Sequence, residues 1–196
     1  MAERGRPGPR RTLSEQAIID AALELLAERG ADAVTVRGIA GRVGVAPNAV
    51  YTYFPDKATV VQGLLEQLLG RVNHDRFIDP ARPWRDRVRA LALELRAELL
   101  AHPGAVHLLL GHPPGGPNAR AVRETLLAIL ADAGLGPRDA ADAAYLIDVH
   151  ILGSVVFQAV EPPAGPGVGT GRVSWGLDRL LDGLAAHAGA ERSASR

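Results

Sequence analysis

In Thr35-Val-Arg-Gly-Ile-Ala40-Gly-Arg-Val-Gly44-Val-Ala-Pro47-Asn-Ala-Val50-Tyr-Thr-Tyr-Phe54, apolar side chains recur at Val36, Ile39, Ala40 and Val43, the spacing of one helix face. Thr35 stands at the N-cap position of that helix, and Gly44 can end it in a left-handed turn. Val45 and Ala46 then make the turn, and Pro47 opens a second short helix where its missing N–H is no loss. That helix is expected to run to Phe54, where Pro55 stops it and Asp56 caps the next. Two short helices joined in this way, with Ala40 at the crossing and Val36, Val43, Val50 and Phe54 along the seam, have the layout of a helix-turn-helix. A generic helical hairpin would carry the same apolar positions, so spacing alone leaves the DNA-binding reading and a purely structural one both open.

Helix geometry sharpens the choice. At roughly 100° per residue, with the core direction set by Val50 and Phe54, Asn48 and Thr52 point away from the core and Tyr51 and Tyr53 flank them. A helix entering the major groove wants short polar groups on its crest to reach base edges and longer hydroxyl-tipped groups at its sides to meet the phosphate walls. Asn48 can pair bidentately with adenine, Thr52 can meet a thymine methyl, and the tyrosines can donate to phosphates. Lys57 follows Asp56 at the start of a helix, where free amides and the dipole already favour a phosphate.

The run Arg29-Gly30-Ala-Asp-Ala-Val-Thr35-Val-Arg37-Gly-Ile-Ala40, followed by Val43-Gly-Val-Ala-Pro47-Asn-Ala-Val50-Tyr-Thr-Tyr-Phe54-Pro-Asp-Lys57, resembles the helix-turn-helix of the TetR family of bacterial transcriptional regulators, with its Leu-Tyr-x-His-Phe-x-x-Lys ending. The resemblance implies that Thr35 and Arg37 on one helix, and Pro47, Asn48, Tyr51, Thr52 and Tyr53 on the next, lie at DNA, with Lys57 on the backbone. Val50 replaces the usual leucine, and Tyr53 stands where histidine is common.

Outward toward the N-terminus, Arg4-Gly-Arg6-Pro-Gly-Pro-Arg-Arg11 cannot form a helix, and residues 1–11 are expected to be a flexible basic arm. Arg4-Gly-Arg6-Pro7 is similar to the core of minor-groove peptides, so Arg4 and Arg6 are expected at the adjacent minor groove; a plain disordered tail is the other reading. Thr12-Leu-Ser-Glu15 has the form of a capping box, with Thr12 as N-cap. The first helix follows, with Ile18, Ala21, Ala22 and Leu25 inward and Glu15, Asp20, Glu24 and Glu28 outward. Residues 12–57 are thus read as the DNA-binding domain.

In the other direction the pattern stays helical, from Lys57 to about Asp75, then over 84–102, 121–133, 138–160 and 173–187, with Gly- and Pro-rich breaks between. No segment alternates with period two, so the fold class is all-α: a three-helix DNA-binding unit joined through a connecting helix to a helical ligand-binding and dimerisation domain over 58–188, with 189–196 a disordered tail. Gly165-Pro-Gly-Val-Gly-Thr-Gly171 is not a phosphate loop, since no strand precedes it and no lysine follows, and is expected to be a flexible connector.

Composition removes other classes of function. The 196 residues include no cysteine, which excludes disulfides and thiolate chemistry. With 22 basic and 22 acidic residues the net charge is zero, so any contact with nucleic acid must be local. Lys57 is the only lysine, which points to GC-rich coding and weakens any argument from arginine counts. The most apolar stretch, Leu146 to Val160, is too short to span a bilayer and carries Asp148 and His150, so the chain is expected in the cytoplasm and away from membranes. Six histidines include no i, i+4 pair on one helix, and no metal or cofactor is expected. No nucleophile with a base and an orienting group stands out, so an enzyme is the weakest reading, behind a ligand-responsive repressor and a dimeric regulator that takes no ligand. Arg87, Arg89, Glu94, Arg96 and Glu98 read as a solvated face with intrahelical pairs.

Residues 58–196 also resemble the effector half of the tetracycline-repressor branch of the family. Yet Asn73, Leu91 and Leu109 stand where that branch has the polar groups that hold magnesium-tetracycline, so tetracycline is not the expected ligand. A cavity lined by Leu68, Val72, Leu91, Leu95, Leu109, Tyr145, Val149, Leu152 and Phe157, with polar points at Asn73, His107, His112, His150 and Gln158, would suit a largely apolar effector. Asp148, His150 and Gln158 on so apolar a helix should either pair across an interface or line a cavity. A two-fold dimer on a palindromic operator is expected, packed as a four-helix bundle through Ala141, Ala144, Gly153, Leu180, Leu181 and Leu184. In the family, effector binding shifts the fourth helix and separates the two reading heads.

Overall fold

The computed structural model describes residues 13–102, 104–160 and 168–194, and every regular element among them is helical. In chain order these are α1 (Glu15–Arg29), α2 (Val36–Val43), α3 (Pro47–Tyr51), α4 (Lys57–Leu69), α5 (Trp84–Ala101), α6 (Ala105–Gly111), α7 (Pro117–Asp132), α8 (Pro137–Val160) and α9 (Val168–Ala194), with short 3-10 turns at Ala31–Ala33 and His74–Phe77.

Several boundaries differ from the sequence reading for local reasons. Helix α1 is capped by Ser14, whose side chain accepts from the Ala17 amide at 3.1 Å, and not by Thr12 through a capping box. Helix α3 closes at Tyr51, because the Thr52, Tyr53 and Phe54 amides turn back onto Ala49 and Val50 ahead of Pro55. Helix α4 stops at Leu69, and the expected helix to Asp75 becomes a loop and a 3-10 turn. A separate short helix, α6, lies between the two glycine- and proline-rich breaks. Residues 168–171 of the expected connector and 189–194 of the expected tail both belong to α9. The rest of the connector, residues 165–167, and the arm with Arg4 and Arg6 lie outside the described residues.

One core joins α1, α2 and α3 to α4 through Ile18, Leu26, Ile39, Val50, Val60 and Leu64, and continues into Leu99, Val106 and Val155 of α5, α6 and α8. A second unites α5, α7, α8 and α9 around Val88, Ile129, Leu130, Ile147, Ile151 and Leu177. Leu95 of α5 packs against both. Helix α4 is thereby built into the body of the molecule and cannot rotate without repacking its neighbours.

Polar ties reinforce this packing. Arg42 on α2 pairs with Glu24 and Glu28 on α1, and that guanidinium holds the Glu28 carboxyl below the usual carboxylate range. The α5 charges expected to be solvated and intrahelical are largely interhelical instead. Arg85 and Arg89 pair with Asp182 and Asp178 on α9, Arg87 with Asp132 on α7, and Arg96 donates to Ser154 and Gln158 on α8. Glu94 accepts from the Asn73 amide at 2.9 Å, and Glu98 pairs with Arg71. Their spacing gave no hint of this, because a long arginine can snorkel past apolar neighbours to reach an adjacent helix.

The Arg87–Asp132 pair is lopsided: the arginine side chain is 3% exposed and the aspartate 50%, with Nη2–Oδ2 at 2.7 Å. Removing the aspartate strands a buried cation whose Nε already lacks a hydrogen-bond partner, whereas removing the arginine leaves a carboxylate that water can serve. Asp132→Ala is therefore expected to cost roughly 3 kcal/mol, and Arg87→Met less than about 1 kcal/mol. Denaturant unfolding of the two variants checks this; equal losses would contradict it.

Candidate functional site

Two surfaces of the molecule carry chemistry. The first is built on α2, the turn and α3. Thr35 caps α2, its Oγ1 accepting from the Gly38 amide at 3.0 Å. Gly44 closes the helix in the left-handed region at φ 81°, a conformation that a side chain would disfavour, and the Gly44 and Val45 amides both bond to the Ala40 carbonyl at 2.9 Å. With Val50 and Phe54 buried, Thr35, Arg37, Pro47, Asn48, Tyr51 and Thr52 share the solvent side with Tyr53. No described residue forms an ion pair with Arg37 or Lys57, so both cations are available to a phosphate.

Tyr53 differs from the rest. Its hydroxyl donates to the Leu13 carbonyl at 2.9 Å, so its proton is not free for a phosphate. Instead the side chain pins the residue ahead of the α1 cap to the end of α3. Lys57 begins α4 beside Asp56, whose Oδ1 accepts from the Thr59 amide at 2.7 Å and the Thr59 hydroxyl at 2.8 Å. Those bonds hold the Asp56 carboxyl below its usual range, so the cap stays charged and intact at neutral pH and is lost only as pH falls through that lowered value.

The second surface is a cavity of about 330 Å³ between α4, α5, α7 and α8, with the segment after α6 at its edge. Its walls are Leu69, Leu91, Leu95, Leu99, Leu109, Val122, Leu126, Ile147, Ile151 and Leu152, with Pro113, Pro114, Ala92 and Ala119. Two charged side chains open onto it, Arg123 of α7 and Asp148 of α8, with Nη1 and Oδ2 4.0 Å apart. Burial pushes the Asp148 carboxyl above its usual range, and the nearby Arg123 only partly offsets this.

The cavity brings together Leu91, Leu95, Leu109 and Leu152 of the residues expected there, and leaves most of the others elsewhere. Leu68 and Val72 are packed in the cores. Asn73 is exposed beyond α4. His107 faces a second pocket, at the end of α1 and the Ala31–Ala33 turn. His112 follows α6, with Nδ1 buried and lacking a hydrogen-bond partner. His150 turns to α9, where Nε2 lies 2.9 Å from the Val173 carbonyl, and Gly176 leaves room for its ring. Gln158 accepts from Arg96. Of the three polar residues singled out on α8, only Asp148 lines the cavity.

The outer face of α8 is apolar and open: Tyr145 is 66%, Val149 50% and Phe157 69% exposed, spaced so that all fall on one stripe, and Trp175 of α9 is 67% exposed. Tyr145, Val149 and Phe157 therefore face outward and not into the cavity. Ala144 and Leu181, expected at a dimer contact, are instead buried within the subunit, because they pack between α8, α9 and their neighbours. Ala141, Gly153, Leu180 and Leu184 are half-buried. Within Pro137–Gln158 of α8 an 18-residue stretch reaches mean hydropathy 1.5, enough to cross a membrane by length and composition alone, a test that the core helix of a soluble protein also passes. The apolar run expected from the sequence, Leu146 to Val160, is shorter because it leaves out the alanine-rich turns before it. No group of His, Asp or Glu able to hold a metal ion occurs among the described residues.

A set of hydrogen bonds ties α4 to α7. Glu66 of α4 reaches the start of α7, where Oε2 and Oε1 accept from the Asn118 and Ala119 amides at 2.8 and 3.1 Å, and the Asn118 side chain donates back to the Glu66 carbonyl at 2.9 Å. Gly116 makes this possible, since a Cβ there would lie 2.2 Å from Glu66 Cδ. A carboxylate on the free amides of a helix start is a favourable arrangement. The α7 turn it grips carries Ala119, Val122 and Arg123 into the cavity wall. Nothing in the spacing of Glu66 marked it in advance, because its partners are 52 and 53 residues away.

Comparison with known proteins covers both surfaces. The family described as "Bacterial regulatory proteins, tetR family" matches residues 18–64, and that described as "Tetracyclin repressor-like, C-terminal domain" matches residues 79–165. An HTH-type transcriptional regulator of Saccharopolyspora erythraea is 33% identical over 148 residues, which cover 76% of this chain and 62% of that protein. The chain thus spans less than two thirds of that relative. The class A tetracycline repressor protein from transposon 1721 of Escherichia coli is 33% identical over 160 residues, 81% of this chain and 73% of the repressor. Among solved structures, a TetR variant from Acinetobacter baumannii AYE in complex with minocycline superposes with a TM-score of 0.79 at 30% identity, over 90% of this chain and 99% of that one.

Proposed function

Because the chain belongs to the TetR family of bacterial regulatory proteins, we propose that it is a cytoplasmic, dimeric, sequence-specific repressor that leaves a palindromic operator when a small, largely apolar effector fills the cavity between α4 and α8. The observation that carries this reading is the pairing of an open reading face on α3 with an apolar cavity walled in part by α4, the helix that follows the reading head.

At DNA, Asn48 and Thr52 take the base edges, Arg37, Tyr51 and the Thr35 hydroxyl take phosphates or flanking bases, Pro47 sets the start of α3, and Lys57 takes the backbone. Arg4 and Arg6 reach the neighbouring minor groove. Tyr53 serves as a positioning residue through its bond to Leu13. Each subunit covers one half-site, and the stripe of Tyr145, Val149 and Phe157 with Trp175 pairs with its symmetry mate as a four-helix bundle of two α8 and two α9 helices. Ala141, Gly153, Leu180 and Leu184 flank that contact.

An effector in the cavity presses on α7 and α8, and the Glu66 grip on the α7 start passes the displacement to α4. Occupancy then favours the conformation in which the two reading heads no longer match the half-site spacing. For this to work the ligand must bind that conformation more tightly than the DNA-bound one, and the same difference must reappear as weakened operator binding.

Selection of bound sequences from random DNA tests the DNA side. An inverted repeat whose half-sites sit about one helical turn apart is expected. No enrichment, or a single unrepeated site, would contradict the dimeric reading.

A further inference from the structure

We propose, resting on the reading of the cavity as the effector site, that the effector is an amphiphilic cation: a compact apolar body with a protonated nitrogen that donates to Asp148. The walls offer Leu69, Leu91, Leu126 and Ile151 to the body of such a molecule, in a volume of about 330 Å³ that accepts two or three fused or linked rings. Asp148 is the one carboxylate among the lining residues. It makes no hydrogen bond with any described residue, and Arg123 at 4.0 Å is too far to donate one. Burial holds its carboxyl above the usual range, and Arg123 offsets this only in part.

The Asp148 side chain is 42% exposed and that of Arg123 54%. The carboxyl, however, sits one methylene from the α8 backbone and cannot swing away, so an anionic effector on Arg123 would have to lie beside it. A cation next to Asp148 displaces Arg123, and that is cheap: the arginine side chain is mostly exposed and long enough to turn into solvent. The asymmetry between a fixed acid and a movable base decides the sign of the ligand. A charge-assisted N–H to carboxylate bond at an apolar site also exceeds a neutral one in strength.

The test uses three near-isosteric probes, 1-naphthylmethylamine (protonated at pH 7), 1-naphthalenemethanol and 1-naphthoate, titrated into the full-length protein by calorimetry. The ammonium is expected to bind at least about tenfold tighter than the alcohol, and the naphthoate more weakly than both. Asp148→Asn is expected to abolish the ammonium's advantage while leaving the alcohol's affinity within about twofold, and Arg123→Gln to enlarge that advantage. Because Arg123 is exposed, the second variant folds whether or not the first does. Equal binding of the three probes, preference for the naphthoate, or an ammonium preference that survives Asp148→Asn would overturn the proposal while leaving the cavity an effector site. Failure of all three to bind at millimolar concentration would overturn the effector reading of the cavity itself and this proposal with it.

Discussion

Val149→Asp is expected to yield a folded monomer that has lost specific operator binding. Val149 lies at the middle of the exposed stripe on α8, and at 50% exposure it contributes little to the fold of its own subunit. In a two-fold bundle the substituted position faces its own copy or near neighbours, so the change buries two like charges in an apolar contact. The expected subunit is therefore folded alone, with a cooperative melting transition that lies below the parent's by the stabilisation that association supplies and no longer depends on protein concentration. Operator affinity should fall on the order of a hundredfold or more, because one helix-turn-helix reads only one half-site. Sedimentation and fluorescence anisotropy measure the two effects. A variant that still sediments as a dimer would move the interface elsewhere, and a monomer with full affinity would remove the palindromic operator.

The second large effect is expected on α3. Asn48→Ala should weaken operator binding by about 1–3 kcal/mol and flatten the preference at one base pair in each half-site, as removal of a bidentate base contact does. Asn48 is exposed and Val50 alone anchors that turn of α3, so the loss will not come from unfolding. Lys57→Ala should act differently, weakening all sequences alike and reducing the slope of log affinity against log salt by about 1. If Asn48→Ala leaves both affinity and base preference unchanged, the orientation of α3 on DNA is wrong.

What was legible in the sequence follows from the range of the interactions involved. The helix-turn-helix was readable because its determinants are local: the Thr35 cap, Gly44, Pro47 and the Asp56 cap each act within three or four residues. The all-helical class was readable from periodicity in the same way. Side-chain partnerships across the fold were not. Glu66 meets α7 some 52 residues away, and Arg87 and Arg96 look like surface charges until α7 and α8 are set beside α5. The cavity was anticipated as apolar from the surplus of leucine, and Asp148 as a polar residue needing a reason, but which side of α8 each residue faces depended on the packing of α7 and α9. Tyr145 and Phe157 were assigned inward for that reason, and His150 and Gln158 were spent on ties to α9 and α5.

In the proposed switch, occupancy of the cavity and release of DNA are one equilibrium. The most direct test takes a compound that raises the melting temperature of the free protein in a metabolite and antibiotic screen and titrates it into the protein–operator complex. Operator dissociation constants are measured across ligand concentrations, and ligand constants with and without saturating operator. The ligand is expected to weaken operator binding, and the operator to weaken ligand binding by the same factor, typically about 5–150-fold. A compound that stabilises the free protein and fills the cavity, yet leaves operator affinity unchanged, would contradict the switch.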